Sequence, residues 1–319
     1  MATIKASSSA VISGTAAADL IYGHDGADTL YGRAGDDRIW GGLGDDRLYG
    51  DSGTDRLYGE AGNDVLMGGT GISYLYGGEG DDALHYNPVT GSLAAGVPLG
   101  NSVLDGGSGR DALHVYNKAT FTFDGETSPA TTRMTVTSQG AGTISFQDAG
   151  PGSGGAIHDA GSFSGIEKVT VTGAGRLEFY GGHGYSDGID VTGTAGNDFF
   201  YSDTASDTIR SGGGDDTFLL SGYGGMDTII SGAADNDIFR FDVSGGADAR
   251  ISGFNGAGTE LGDRLYFEDM MYGRSLTASI VETSGKTVFT IQADGGEFGP
   301  TMVTVDKIGL VADVDYFFA

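Results

Sequence analysis

The sequence predicts an all-β chain: a solenoid of short stacked strands, then a β-rich spacer, a second stretch of solenoid and a C-terminal β cap. Three observations predict it. A nine-residue phrase repeats eight times without interruption over residues 14–85. The 60 glycines recur in phase with that phrase, so they mark turns and not disorder. No stretch carries the 3.6-residue apolar period of a helix.

Residues 1–12 precede the repeats and read as an N-terminal cap. The opening MATIKASSSAVISG has no basic stretch followed by an apolar run, so no Sec signal is expected. The first repeat block spans 13–86. Its copies are GTAAADLIY, GHDGADTLY, GRAGDDRIW, GGLGDDRLY, GDSGTDRLY, GEAGNDVLM, GGTGISYLY and GGEGDDALH, on the template G-x-x-G-x-D-x-U-x. Position 8 is Ile21, Leu30, Ile39, Leu48, Leu57, Leu66, Leu75 and Leu84. Position 6 is Asp19, Asp28, Asp37, Asp46, Asp55, Asp64, Ser73 and Asp82. A motif phased over this many copies is far more specific than one short match.

Glycines at positions 1 and 4 allow tight turns with positive φ. Such turns aim carbonyl oxygens inward, and the Asp adds a carboxylate. Hard oxygen donors of this kind suit calcium, which takes ~6–8 of them in flexible geometry. The x-U-x segment makes a short strand with U turned inward. Two copies make one turn of the coil, so same-edge partners lie 18 residues apart.

These residues resemble the RTX family, the hemolysin-type calcium-binding repeats secreted by Gram-negative bacteria. The resemblance implies a right-handed parallel β-roll with Ca²⁺ held between adjacent turns on one edge. The candidate ligands are Asp19, Asp28, Asp37, Asp46, Asp55, Asp64 and Asp82, with the carbonyls of Gly23, Gly32, Gly41, Gly50, Gly59 and Gly77. The blander alternative is a metal-free solenoid that uses Asp only to shape its turns.

One edge carries Asp19, Asp37, Asp55 and Ser73; the other carries Asp28, Asp46, Asp64 and Asp82. Residues 87–114 hold an excursion, NPVTGSLAAGVPLGNS, and an isolated motif, GGSGRDALH. If the excursion replaces one turn, Asp111 stacks after Asp82 and the first edge gives up calcium where the loop leaves.

Net charge is -27. Two unpaired carboxylates ~4.8 Å apart repel by roughly 3 kcal/mol at an effective dielectric of ~20. Rows of them oppose folding until a divalent cation neutralises them. Such a surface argues against nucleic acid and anionic membranes as partners. With no cysteine there is no thiol chemistry or disulfide framework.

Residues 115–190 contain strand-like runs without the Asp motif, read as a metal-poor β spacer. A degenerate second block spans 191–251, with Asp198 and Asp216 as a ligand pair and Asp227 after a two-residue slip; Asp237 is kept, with Asp235 where the copy's second Gly belongs. Residues 252–319 read as a C-terminal cap with a hairpin around Ser284-Gly285-Lys286. The end, Asp313-Val-Asp315-Tyr-Phe-Phe-Ala319, resembles the uncleaved signal of type I secretion; the alternative is an ordinary last strand. No segment is long enough to span a membrane.

No HExxH occurs, and the single G-x-S-x-G at 184–188, beside His183, lacks the following helix that a nucleophile elbow needs. It is read as a chance match in a Gly- and Ser-rich chain, and no enzyme is expected. Position 9 gives an outward ladder of Tyr22, Tyr31, Trp40, Tyr49, Tyr58, Met67, Tyr76 and His85, flanked by Arg38, Arg47 and Arg56. Two readings stand: contact with another copy or a polysaccharide, or simple shielding of the sheet. The expectation is an extracellular calcium-binding solenoid with a structural or adhesive role at the cell surface. The runner-up is a secreted effector or enzyme with its activity in 115–190.

Overall fold

The computed structural model describes residues 2–5, 9–87, 91–93, 101–117, 119–123, 126–138, 140–147, 157–173, 175–181, 188–202, 205–221, 225–232, 235–255, 262–270, 272–295, 299–307, 309–312 and 315–318. These residues are all-β and form parallel β-roll in two compact units, Met1–Gly175 and Arg176–Ala319. The spacer boundary expected at 190 therefore falls earlier. Strands Leu177–Tyr180 and Asp190–Thr192 ladder onto Phe199–Ser202 and Thr208–Arg210, although their own sequences lack the repeat's Asp.

In the first unit the two strands of each turn go to two parallel stacks. One runs Thr3–Lys5, Leu20–Asp25, Arg38–Leu43, Asp55–Ala61, Ser73–Glu79, Ser102–Ser108 and Ile157–Ser164. The other runs Val11–Ser13, Thr29–Tyr31, Arg47–Tyr49, Val65–Met67, Ala83–Tyr86, Ala112–Asn117 and Lys168–Gly173. The N-terminal cap is thus the first turn of the roll.

Register follows the aliphatic position. Ile21 pairs with Ile39, Ile39 with Leu57 and Leu57 with Leu75 on one side; Leu30, Leu48, Leu66 and Leu84 pair in turn on the other. All eight are fully buried, because a two-residue strand period turns position 8 inward and positions 7 and 9 outward. At the excursion Tyr86 joins the core, and its hydroxyl donates to the Ala160 carbonyl at 2.8 Å. Within the spacer, Ile157–Ser164 and Lys168–Gly173 add one more turn, while Thr131–Ser138 and Ala141–Gln147 extend it as an antiparallel meander.

The second unit repeats the plan with a different filling. Phe200, Phe218 and Phe239 stack at centroid spacings of 5.2 and 4.7 Å along one side, while Ile209, Ile229 and Ile251 line the other. Large rings facing small aliphatics fill the coil's interior. The hairpin Leu276–Thr283/Lys286–Ala293 turns at Ser284-Gly285, both with positive φ, and continues antiparallel onto Thr301–Val305. The tail forms strand Tyr316–Phe318, parallel to Arg264–Glu268. Among the described residues, no helix is long and apolar enough to cross a membrane.

Candidate metal centre

The position-6 aspartates form lines along the two edges of the first unit, continuous on the second edge only. On the second edge, the backbone N–H of Asp28 donates to Asp46 Oδ1 at 2.7 Å, Asp46 to Asp64 at 2.8 Å, and Asp64 to Asp82 at 2.7 Å. Asp82 donates to Asp111 Oδ1 at 2.7 Å, and Asp111 to Glu167 Oε2 at 2.7 Å. On the first edge Asp19 donates to Asp37 at 2.7 Å and Asp37 to Asp55 at 2.9 Å. The line then loses its charge: Ser73 donates to the Ser102 hydroxyl at 3.1 Å.

Only one oxygen of each carboxylate is used in this way. The other, Oδ2, is buried without a hydrogen-bond partner in Asp28, Asp37, Asp46, Asp55, Asp64, Asp82 and Asp111. A buried anionic oxygen with no partner is strongly unfavourable unless a cation meets it.

The glycines of position 1 make the room. A Cβ on Gly32 would lie 2.5 Å from Asp37 Oδ2 and 2.8 Å from the Gly50 carbonyl oxygen; on Gly50, 2.6 Å from both Asp55 Oδ2 and the Gly68 carbonyl oxygen. Gly23, Gly41, Gly59 and Gly77 sit against Asp28, Asp46, Asp64 and Asp82 in the same way. The carbonyls of Gly32, Gly41, Gly50, Gly59 and Gly77 each approach the same-edge glycine one turn back; Gly23 gives Asp28 its space. The donors are therefore carboxylate and carbonyl oxygens only, which is the set a hard cation such as calcium prefers.

The positive φ follows the sequence at one of its two expected positions. Position 4 adopts it, as expected, at Gly26, Gly35, Gly44, Gly53, Gly62, Gly71 and Gly80. Position 1 does not; position 2 does, at His24 (79°), Arg33 (81°), Asp51 (69°) and Glu60 (77°) as well as at Gly42, Gly69 and Gly78. Position 1 is glycine because two oxygens crowd its Cα.

Two of the expected ligands, Asp19 and Asp198, are engaged otherwise. Asp19 Oδ2 accepts the Thr15 N–H at 2.6 Å and its hydroxyl at 2.8 Å, while Oδ1 accepts the Ala2 N–H at 2.8 Å. Asp198 is closed in the same manner: Oδ2 accepts the Thr194 N–H at 2.6 Å, and Oδ1 accepts the Leu177 N–H at 2.7 Å and the Thr194 hydroxyl at 2.8 Å. Both blocks open Gly-Thr-Ala, and in each the threonine supplies the donors a cation would replace. Asp227 lies in register with Asp207, accepting its N–H at 2.9 Å. There Ser202, standing at position 1, donates its hydroxyl to Asp207 Oδ2 at 2.7 Å, filling the room a glycine would leave.

Asp216 keeps a buried, unpartnered Oδ2. Its line runs on beyond the expected pair: Asp216 donates to Asp237, position 6 of the copy at 232–240, at 2.8 Å, and Asp237 to Asp263 at 2.9 Å. Residues 183–187 of the G-x-S-x-G neighbourhood lie outside the described residues.

The family of RTX calcium-binding nonapeptide repeats matches residues 8–39, 22–57, 31–66, 58–87 and 190–218. These segments are RTX calcium-binding repeats. No curated protein matches the chain. Among solved structures, the extracellular lipase of Serratia marcescens is similar over 95% of this chain and 40% of that one, at 16% identity and a TM-score of 0.19. The chain thus spans less than half of that protein's length, and a likeness this slight carries no argument about activity.

Burial in the RTX edges raises the acids' proton affinity. Asp46, Asp55 and Asp82 are pushed up to about 7 and Asp64 and Asp111 to about 6, by desolvation first and neighbouring carboxylates second. Asp216 is raised to about 8 for the same reasons. Asp19 is held below the usual carboxylate range by the N–H groups of Ala2 and Thr15.

Proposed function

We propose that this chain is a secreted, calcium-folded β-roll with a structural or adhesive role at the cell surface or in extracellular matrix. The observation that carries the calcium part is the row of buried, partnerless Oδ2 atoms on the two edges of the first unit. In this reading Asp28, Asp37, Asp46, Asp55, Asp64, Asp82 and Asp111 supply one carboxylate oxygen each, and same-edge glycine carbonyls supply the rest. Calcium then replaces mutual repulsion with bridging contacts between turns. Folding waits for a compartment where the ion is abundant, at the ~10⁻⁴–10⁻³ M typical of extracellular modules.

The structural role rests on the outward rings. Tyr22, Trp40, Tyr58 and Tyr76 stack on one another at 4.6, 5.4 and 5.0 Å, with interplanar angles of 10° or less. Neighbouring rings cover each other's faces, so the ladder offers a row of ring edges and hydroxyls. A row of that kind fits a flat, regularly repeating partner: a second copy of the roll or a polysaccharide chain. We read the chain as non-enzymatic, without a nucleic-acid partner.

Export would use type I secretion machinery, with the Tyr316–Phe318 tail read while the chain is still unfolded. In the folded protein the same residues pack as a strand, with Phe317 stacked on Tyr266 at 4.8 Å. Electron microscopy of the purified full chain with and without millimolar calcium tests the role. Lattices or filaments in calcium are expected; isolated monomers in calcium would remove the structural reading.

A further inference from the structure

The second unit holds a cluster with a different layout. Asp235, Asp237 and Asp263 are all buried, and one carboxylate oxygen from each lies within 4.8 Å of the other two. Asp237 and Asp263 belong to the line of position-6 acids. Asp235 does not: it stands at position 4 of the copy GAADNDIFR (232–240), where the template has glycine.

Among the described residues, each oxygen of Asp237 and Asp263 accepts one hydrogen bond, and a carboxylate oxygen has a second lone pair to offer a cation. Asp237 Oδ1 accepts the Asp216 N–H at 2.8 Å, and its Oδ2 accepts the Ser231 hydroxyl. Asp263 Oδ1 accepts the Asp237 N–H at 2.9 Å, and Oδ2 the Asn255 N–H at 2.9 Å. Asp235 Oδ1 is approached by Asn255 Nδ2 at 3.3 Å. Asp235 Oδ2 has no partner, and the residue is only 8% exposed.

The glycine beside it differs from those of the RTX edges. A Cβ on Gly232 would meet Asp235 Oδ2 and would lie 2.5 Å from the Gly212 carbonyl oxygen. In the repeats the carboxylate comes from five residues ahead and the carbonyl from the turn ahead. Here the carboxylate comes from three residues ahead and the carbonyl from the turn behind. The room is therefore built again, from other parts.

We propose that Asp235, Asp237, Asp263 and the Gly212 carbonyl form a separate calcium site at the end of the second block, created by the acid at position 4. Three carboxylates and a carbonyl are hard donors, and three converging negative charges require a divalent cation rather than a monovalent one. The third carboxylate distinguishes this site from the edge sites, and stronger binding follows from its added charge.

The test is calcium titration of the full chain by calorimetry, with terbium luminescence as a second readout. Asp235→Asn keeps the side-chain shape, and Asp235→Gly restores the template residue and so keeps the turn. Both variants should fold in calcium and bind one ion fewer than the parent, with the tightest phase lost. Magnesium should not displace terbium from the parent. The inference uses the calcium chemistry of the repeats but separates from it experimentally. If the parent binds calcium and both variants match it in stoichiometry and affinity, this site is disproved and the edge sites stand. If the parent binds no calcium, both fall.

Discussion

The backbone N–H of Asp82 donates to Asp111 Oδ1 at 2.7 Å, across 29 residues instead of the usual 18. The excursion therefore leaves the second edge without breaking it, whereas the first edge at the same level passes from Ser73 to Ser102. The two edges of one coil consequently differ in charge, and that difference can be engineered.

Asp46→Ala should interrupt the second edge, weakening both ion positions that share Asp46 and removing the acceptor for the Asp28 N–H. Ser73→Asp should do the reverse on the first edge, because Gly68 already provides the room beside Ser73. Calorimetric titration should show lower calcium capacity for the first variant and higher capacity or affinity for the second. Unchanged stoichiometry and midpoint in both would refute the edge assignment.

At neutral pH in chelator, circular dichroism should show a largely disordered chain, with β-structure appearing on calcium and no matching response to magnesium. Full β-structure in chelator at pH 7.5 would sink the account of calcium-driven folding.

Mild acid should partly replace calcium. The edge acids have folded-state pKa values raised from 3.8 to about 6 (Asp64, Asp111), 7 (Asp46, Asp55, Asp82) and 8 (Asp216). A group raised on folding favours the fold below its unfolded pKa, and that stability is lost as pH climbs through the folded value. Metal-free protein should thus hold more β-structure at pH 4–5 than at pH 8, with the loss spread over about pH 4–8. Calcium affinity should rise over the upper part of that window, since proton and cation compete. A metal-free fold that strengthens towards pH 8 would contradict this.

Position 2 offers a cheap stabilisation. Arg33 and Glu60 occupy left-handed backbone at φ of 81° and 77°. That conformation costs a non-glycine residue ~1–2 kcal/mol, and glycine gives back ~0.5–1 kcal/mol through its freer unfolded chain. Arg33→Gly and Glu60→Gly should each raise calcium-loaded stability, by up to about 1 kcal/mol. Gly32→Ala should lower it and impair calcium binding, because its Cβ would displace Asp37 Oδ2. Thermal melts that rank these variants otherwise would show that position 2 is not strained.

If the ring ladder mediates assembly, Trp40→Ala/Tyr58→Ala should abolish calcium-dependent self-association in light scattering, or polysaccharide capture in pull-down, with the fold retained. Association that survives would assign these rings to shielding alone.

The roll itself was legible because each requirement repeats. An inward aliphatic, a carboxylate at a fixed offset and a small residue beside it recur often enough to set register without tertiary information. What escaped were substitutions that use different chemistry for the same place. Glu167 takes the next acid position after Asp111 through a side chain one methylene longer, 56 residues away and outside both nonapeptide blocks. Thr15 and Thr194 sit at variable positions, and only coordinates reveal that their hydroxyls close Asp19 and Asp198. Ser202 looks like a missing glycine until it is seen donating to Asp207. Position 5 was passed over entirely. Yet Asp36, Asp45, Asn63 and Asp81 accept the N–H of the following turn, opposite in direction to the acids at position 6.

Each position-6 aspartate in the unbroken lines touches two turns, one through Oδ1 and the other through the oxygen left for an ion. Losing one ion therefore loosens a neighbour as well. In a stack whose stability is a sum of unit and nearest-neighbour terms, occupancy changes in runs, not one site at a time. The chain should answer falling calcium with thresholds whose steepness grows with the length of the unbroken line. The run from Asp28 to Asp111 is the longer and the run ending at Asp55 the shorter. A single coil should thus carry two set points, with the shorter edge the first to let go.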